Sequence, residues 1–148
     1  MDAQWDGLPY AVPWPGSTFI IVEKSTGRAI TVRDGKIRVE EHSEGTGAVA
    51  SSDKGKQWFC VEKNGHFGFQ NQASGKYIGH DGNFGIRASV SHLLAHEFIV
   101  VRKHPQGGYQ LLALHDKGLA LRVISVNEEG DGLVTREHGP TLWEFYMV

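Results

Sequence analysis

The chain repeats itself, and that restricts its folding more than any other feature. Phe19-Ile20-Ile21-Val22-Glu23-Lys24-Ser25-Thr26-Gly27-Arg28-Ala29-Ile30 lines up with Phe67-Gly68-Phe69-Gln70-Asn71-Gln72-Ala73-Ser74-Gly75-Lys76-Tyr77-Ile78, a third of the chain further on. Each segment is an apolar strand, a small-residue–Gly–basic turn and a second apolar strand. Each is followed by an Asp-Gly turn, Arg33-Asp34-Gly35-Lys36 or His80-Asp81-Gly82-Asn83, and a further short strand at Ile37–Val39 or Phe84–Ile86. A looser third copy runs through Tyr109–Ala113, the turn His115-Asp116-Lys117-Gly118 and Leu119-Ala120-Leu121. The copies close on Gln57–Val61, His96–Val101 and Leu142–Val148, where large apolar residues alternate as they do on a strand with one buried face.

A unit of four short strands cannot bury its own apolar side and needs neighbours. A propeller takes at least about four blades. Three copies therefore predict a closed three-lobed barrel of about twelve strands, a closure that also removes sheet edges. The lobes are expected at about 17–63, 64–104 and 105–148. Residues 1–16, with Trp5, Tyr10, Pro13, Trp14 and Pro15, stand outside the repeat as an aromatic N-terminal strap. Glu41–Lys56, rich in Ser, Gly, Ala and Glu, is expected to be a mobile loop.

Charge and apolar patterning exclude several partners. Fifteen basic and 17 acidic residues leave a formal charge of −2, with no basic stripe to meet nucleic acid. No apolar run approaches the roughly 20 residues of a membrane-spanning helix. The single Cys60 cannot form an internal disulfide, and the first residues lack a basic and apolar leader, so a cytoplasmic setting is expected. Cys60 shares strand parity with Trp58, which predicts an inert core thiol.

Ser74-Gly75-Lys76-Tyr77-Ile78-Gly79, its counterpart Thr26-Gly27-Arg28-Ala29-Ile30 and the aromatic closing strands resemble the β-trefoil superfamily. The nearest likeness is to the fascin-like branch, and the ricin-B-like lectins are more distant. The resemblance covers Trp14 to Val148 and implies an all-β fold, a single β-trefoil. It also implies a non-catalytic recognition module that binds a carbohydrate or glycoconjugate through its loops. Such lectins place an Asp at the end of each lobe's second strand. The corresponding positions here read Thr31 and Gly79, with Leu121 nearby in the third lobe, and Gln57-Trp58 approximates the Gln-x-Trp signature. Likeness to fascin implies actin bundling, which needs a second filament site beyond one three-lobed unit.

Eight histidines are many for this length, and two precede an aspartate. His80, Asp81, His92, His96, His115 and Asp116 are the candidate ligand-binding residues, being polar, titratable and near turns. His92 and His96 would share one face of a helix, but without a third placed ligand no metal and no cofactor is assigned. No Gly-x-Ser-x-Gly elbow or phosphate-cradling glycine loop occurs. Two alternatives stay open. One is an enzyme acting on a small molecule through loop His and Asp acid–base groups. The other is a protein-binding module, a cytoskeletal adaptor or protease inhibitor, working through Glu41–Lys56.

Overall fold

The computed structural model describes residues 11–42 and 53–148. Trp5, Tyr10 and positions 43–52 of the Glu41–Lys56 loop lie outside the described residues. Twelve strands form one sheet system. They are β1 Thr18–Glu23, β2 Arg28–Arg33, β3 Lys36–Glu41 and β4 Trp58–Lys63; β5 His66–Asn71, β6 Tyr77–His80, β7 Ile86–Val90 and β8 Ile99–Lys103; and β9 Tyr109–His115, β10 Ala120–Val126, β11 Leu133–Arg136 and β12 Trp143–Met147. Helical structure among the described residues is confined to three-residue 3₁₀ turns, and no helix is long and apolar enough to cross a membrane.

Six strands close a ring. β1 pairs with β4, β4 with β5, β5 with β8, β8 with β9, β9 with β12 and β12 with β1, all antiparallel. The other six form three hairpins, β2–β3, β6–β7 and β10–β11. The hairpins touch one another: Val39 N–H donates to the Asp131 carbonyl (3.0 Å) and Thr135 N–H to the Phe84 carbonyl (2.7 Å). Phe19 faces Trp58, Phe67 faces Ile99 and Tyr109 faces Trp143 across the first and last strands of the successive lobes. These three pairs are equivalent positions of a threefold arrangement, as the fold predicted from the sequence requires.

Alternation along the ring strands fills the centre. Trp58 and Cys60 of β4, and Trp143 and Phe145 of β12, are fully buried, while the residues between them are only half-buried. Phe145 sits at the middle, edge-on to Phe19 at 5.5 Å and to Tyr109 at 5.7 Å, with Phe69 tilted at 5.8 Å. β1 departs from alternation because both its faces are covered. Phe19 and Ile21 enter the main core, whereas Ile20 and Val22 pack with Ala29 and Tyr146 in a smaller cluster. Two lobes tie ring to hairpin through an indole: Trp58 Nε1–H donates to the Ile30 carbonyl (2.9 Å) and Trp143 Nε1–H to the Ile124 carbonyl (3.2 Å). The second lobe has Ile99 in that place.

The third lobe corrects the sequence reading. Val22 pairs with Ala29 and Gln70 with Tyr77, but the equivalent Leu112 pairs with Val123, several residues later. Leu119-Ala120-Leu121 therefore does not match the second strand of the other copies. It belongs to an added length of hairpin in which Ala120 and Leu121 pair with His115 and Leu114. The position equivalent to Thr31 and Gly79 is Ser125, not Leu121. Neither it nor Thr31 carries a carboxylate, and both hydroxyls are buried with no hydrogen-bond partner.

The flanks differ in part as well. Ala11 N–H donates to the Phe145 carbonyl (2.9 Å), and Trp14 lies edge-on to Phe67 at 5.8 Å, yet Trp14 remains 65% exposed. The end of the Glu41–Lys56 loop is ordered. Asp53 caps a 3₁₀ turn at Lys54–Lys56 by accepting from Gly55 N–H (3.1 Å), and it receives Arg33 through both carboxylate oxygens at 3.1 and 2.6 Å. That fork draws residues 53–56 onto β2 and buries Gly55 and Lys56.

Candidate functional site

Three segments, two of the second lobe and one of the third, bring ring side chains together. β6 ends on His80, which is 5% exposed. The connection from β7 to β8 folds into a 3₁₀ turn at Ala95–Glu97 and carries His96. The added length of the β9–β10 hairpin carries His115 across from the third lobe. The His80 ring lies 4.1 Å from that of His96 and 4.0 Å from that of His115, centroid to centroid, with tilts of 31° and 24°.

Local chemistry sets each ring. Gly79 precedes His80, and a β-carbon there would meet the His96 carbonyl at 2.7 Å and Glu97 Oε2 at 2.9 Å, so only glycine lets the turn settle on β6. Glu97 is buried, and its Oε1 accepts from Leu94 N–H at 3.1 Å, closing the turn. His80 Nδ1 accepts from Gly82 N–H at 3.1 Å, which requires that nitrogen to be unprotonated. Burial, with the neighbouring His115 and His96 rings, holds His80 below the usual imidazole value, opposed by the Leu114 carbonyl and Asp81. His115 Nε2 lies 2.9 Å from the Asn83 carbonyl and donates to it, while its Nδ1 is buried without a partner.

Beside the stack opens a cleft of about 520 Å³, lined by His66, His80, His96, Phe98, His115 and Asp116 among others. His66 and Phe98 stack nearly parallel, at 4.6 Å and 9°. Of the residues singled out from sequence, His80, His96, His115 and Asp116 meet here. Asp81 does not: its Oδ1 accepts from Asn83 N–H (2.8 Å) and Gly85 N–H (3.3 Å) in its own turn. His92 lies in a separate groove with Arg87, Leu94 and Glu97, which reaches His96 from its other side. The 3₁₀ turn spans only Ala95–Glu97, so the expected helical pairing of His92 with His96 does not form. His66 and Phe98 escaped the sequence reading. For His66 the signal was parity, since it alternates with the core-facing Phe67 and Phe69 and so points outward.

The stacked rings present faces to one another instead of converging nitrogens. Among the described residues no group of three His, Cys, Asp or Glu side chains could hold a metal ion. Cys60 is no nucleophile: burial, then Glu62, pushes its thiol up to about 12.

No family model and no curated protein matches the chain. Solved structures do. ThreeFoil, a designed 3-fold symmetric protein, aligns at a TM-score of 0.70 and 15% identity, covering 88% of this chain and 99% of its own. SeviL bound to asialo-GM1 saccharide aligns at 0.67 and 13%, covering 88% and 96%. The Rhizoctonia solani agglutinin aligns at 0.68 and 16%, covering 93% and 99%. At such identities the likeness speaks for the fold alone. With the six-stranded ring and its three hairpins, it shows that the chain is a β-trefoil.

Proposed function

We propose that the chain is a lectin-like recognition module and that it takes a carbohydrate or glycoconjugate in the cleft between the second and third lobes. The observation that carries this reading is the pairing of flat ring faces with a carboxylate in one cavity. His66 and Phe98 stack face to face, leaving an outer ring face beside the cavity, and Asp116 lines the same space. A sugar offers an apolar C–H face to rings and hydroxyl donors to a carboxylate. The structural likeness to SeviL, solved with a saccharide, and to an agglutinin supports the same ligand class. Thr31, Gly79 and Ser125 supply no carboxylate at the three equivalent strand positions, which turns attention to the cleft. Glycan-array binding tests the reading, followed by titration of the best ligand against Asp116→Asn and Phe98→Ala. Each variant is expected to lose at least tenfold in affinity. Silence across a broad array at high protein concentration, or full affinity in both variants, refutes it.

One observation favours a second reading, an acid–base enzyme: four histidines line one cleft. His80 is poorly placed for proton transfer, since its Nδ1 is taken by Gly82 N–H. The role would fall to His96 or His115 with Asp116. Turnover of a bound ligand, lost in His96→Gln, would decide for it.

A further inference from the structure

The His80–His96–His115 stack is also the contact that seats the extended β9–β10 hairpin on the second lobe. We propose that this stack is a pH-sensitive latch, which holds the hairpin tip Asp116–Leu119 down while His80 is neutral and releases it as His80 takes up a proton. The inference goes beyond ligand recognition and holds whatever the cleft binds.

The geometry accepts a neutral His80 and penalises a charged one. His80 Nδ1 receives a hydrogen from Gly82 N–H, so a proton added there would face a donor. His115 Nε2 donates to the Asn83 carbonyl, and a proton added at its buried Nδ1 would find no acceptor. Rings 4.0 and 4.1 Å apart would carry like charges at contact distance. The surrounding charged groups offer little compensation. From the β6–β7 turn Asp81 is turned to its own backbone amides, and from the 3₁₀ turn Glu97 is turned to Leu94 N–H. From the hairpin tip Asp116 comes with Lys117 beside it, and from β5 comes the imidazole of His66. Among the described residues no ion pair joins a carboxylate to any of the three rings.

The tip is exposed and conformationally strained. Asp116 and Lys117 both hold positive φ, at 52° and 56°, and Leu119 is 84% exposed. At the tip its hold on the second lobe runs through His115, by the stack and by the bond to Asn83, while further down the hairpin the Leu114 carbonyl is met by His80. His80 is shifted below its free value of 6.5, in line with a closed state that excludes the proton and an open state that accepts it. Opening is then favoured as pH falls below 6.5. One excluded proton gives about tenfold per pH unit, hence at most about 30-fold by pH 5.0.

Native-state amide exchange on the whole chain tests this, with rates corrected for intrinsic pH dependence. Between pH 7.5 and 5.0 the amides of Gly82 and Leu119 are expected to lose at least fivefold in protection while those of Ile21 and Leu111 in the ring hold theirs. His80→Phe keeps a stacking ring without the excluded proton and should flatten the profile. If that variant does not fold, His115→Phe serves, and should reduce the slope. A change under twofold at Gly82 and Leu119, a parallel loss throughout the ring, or an unaltered slope in the folded variant would each overturn the latch.

Discussion

Gly79→Ala probes how the site is seated. Gly79 is not in the left-handed region, so alanine is conformationally acceptable, and the cost is one of space. The new β-carbon would press on the His96 carbonyl at 2.7 Å, a backbone atom fixed in the 3₁₀ turn, and on buried Glu97. Overpacking of this kind costs about 1–3 kcal/mol. Restricting the unfolded chain returns about 0.4–1 kcal/mol. The net expectation is a loss of about 1–2 kcal/mol, a fall in Tm of about 3–6 °C for a chain this long. Gly85→Ala is the control. Its obstacle, at 2.5 Å, is the Asp81 carboxylate, an exposed side chain that can swing aside and give up two bonds to amides. Both bonds are solvent-exposed, so water takes them over and the loss should be smaller than that of Gly79→Ala. Urea and thermal unfolding give both numbers, and the His96 ring resonances report whether the turn has moved. Gly79→Ala at wild-type stability, with His96 unshifted, would refute the claim that glycine seats the turn.

Other expectations concern the core and its flanks. Thr31→Val removes a buried hydroxyl that has no partner and should stabilise by up to about 1 kcal/mol, whereas Thr135→Val should cost about 1–2 kcal/mol, because Thr135 Oγ1 accepts from Arg122 Nε (3.1 Å) and donates to the Phe84 carbonyl (3.3 Å); urea midpoints separate the two. The Arg33 fork holds the Asp53 carboxyl below its usual 3.8, so its contribution is complete above that pH and fades as pH falls further. Since both partners are about one-third exposed, Asp53→Asn should cost below about 1 kcal/mol at neutral pH, with the difference from wild type narrowing in acid denaturation. Cys60 should ignore a thiol-specific disulfide reagent at pH 8 in the native state and react at once in denaturant.

Strands and turns were legible because their code is local. Alternation marked Trp58 and Cys60 or Trp143 and Phe145 as inward pairs, and glycines such as Gly27 and Gly75 marked where each hairpin turns. The third lobe misled for the same reason. Leu119-Ala120-Leu121 has the pattern of a second strand, and only the ladder partner of Leu112 shows that the true counterpart begins at Val123. The cleft was half legible. His80, His96, His115 and Asp116 drew notice as titratable groups near turns, but nothing in the sequence brings the His115 ring of the third lobe to 4.0 Å from His80 of the second. Their meeting depends on the added hairpin length and on the space left at Gly79, both properties of packing.

The ring has one more implication. Phe19 lies opposite Met147, so the strand that opens the barrel and the strand that ends it are side-by-side neighbours. Around such a circle no strand is intrinsically first. A permuted chain in which a linker runs from the end of β12 to the start of β1, cut instead at the left-handed Asn64-Gly65 turn between β4 and β5, would keep every ladder partner of the twelve strands. Chain order, on this scaffold, is a matter of where the thread happens to be severed.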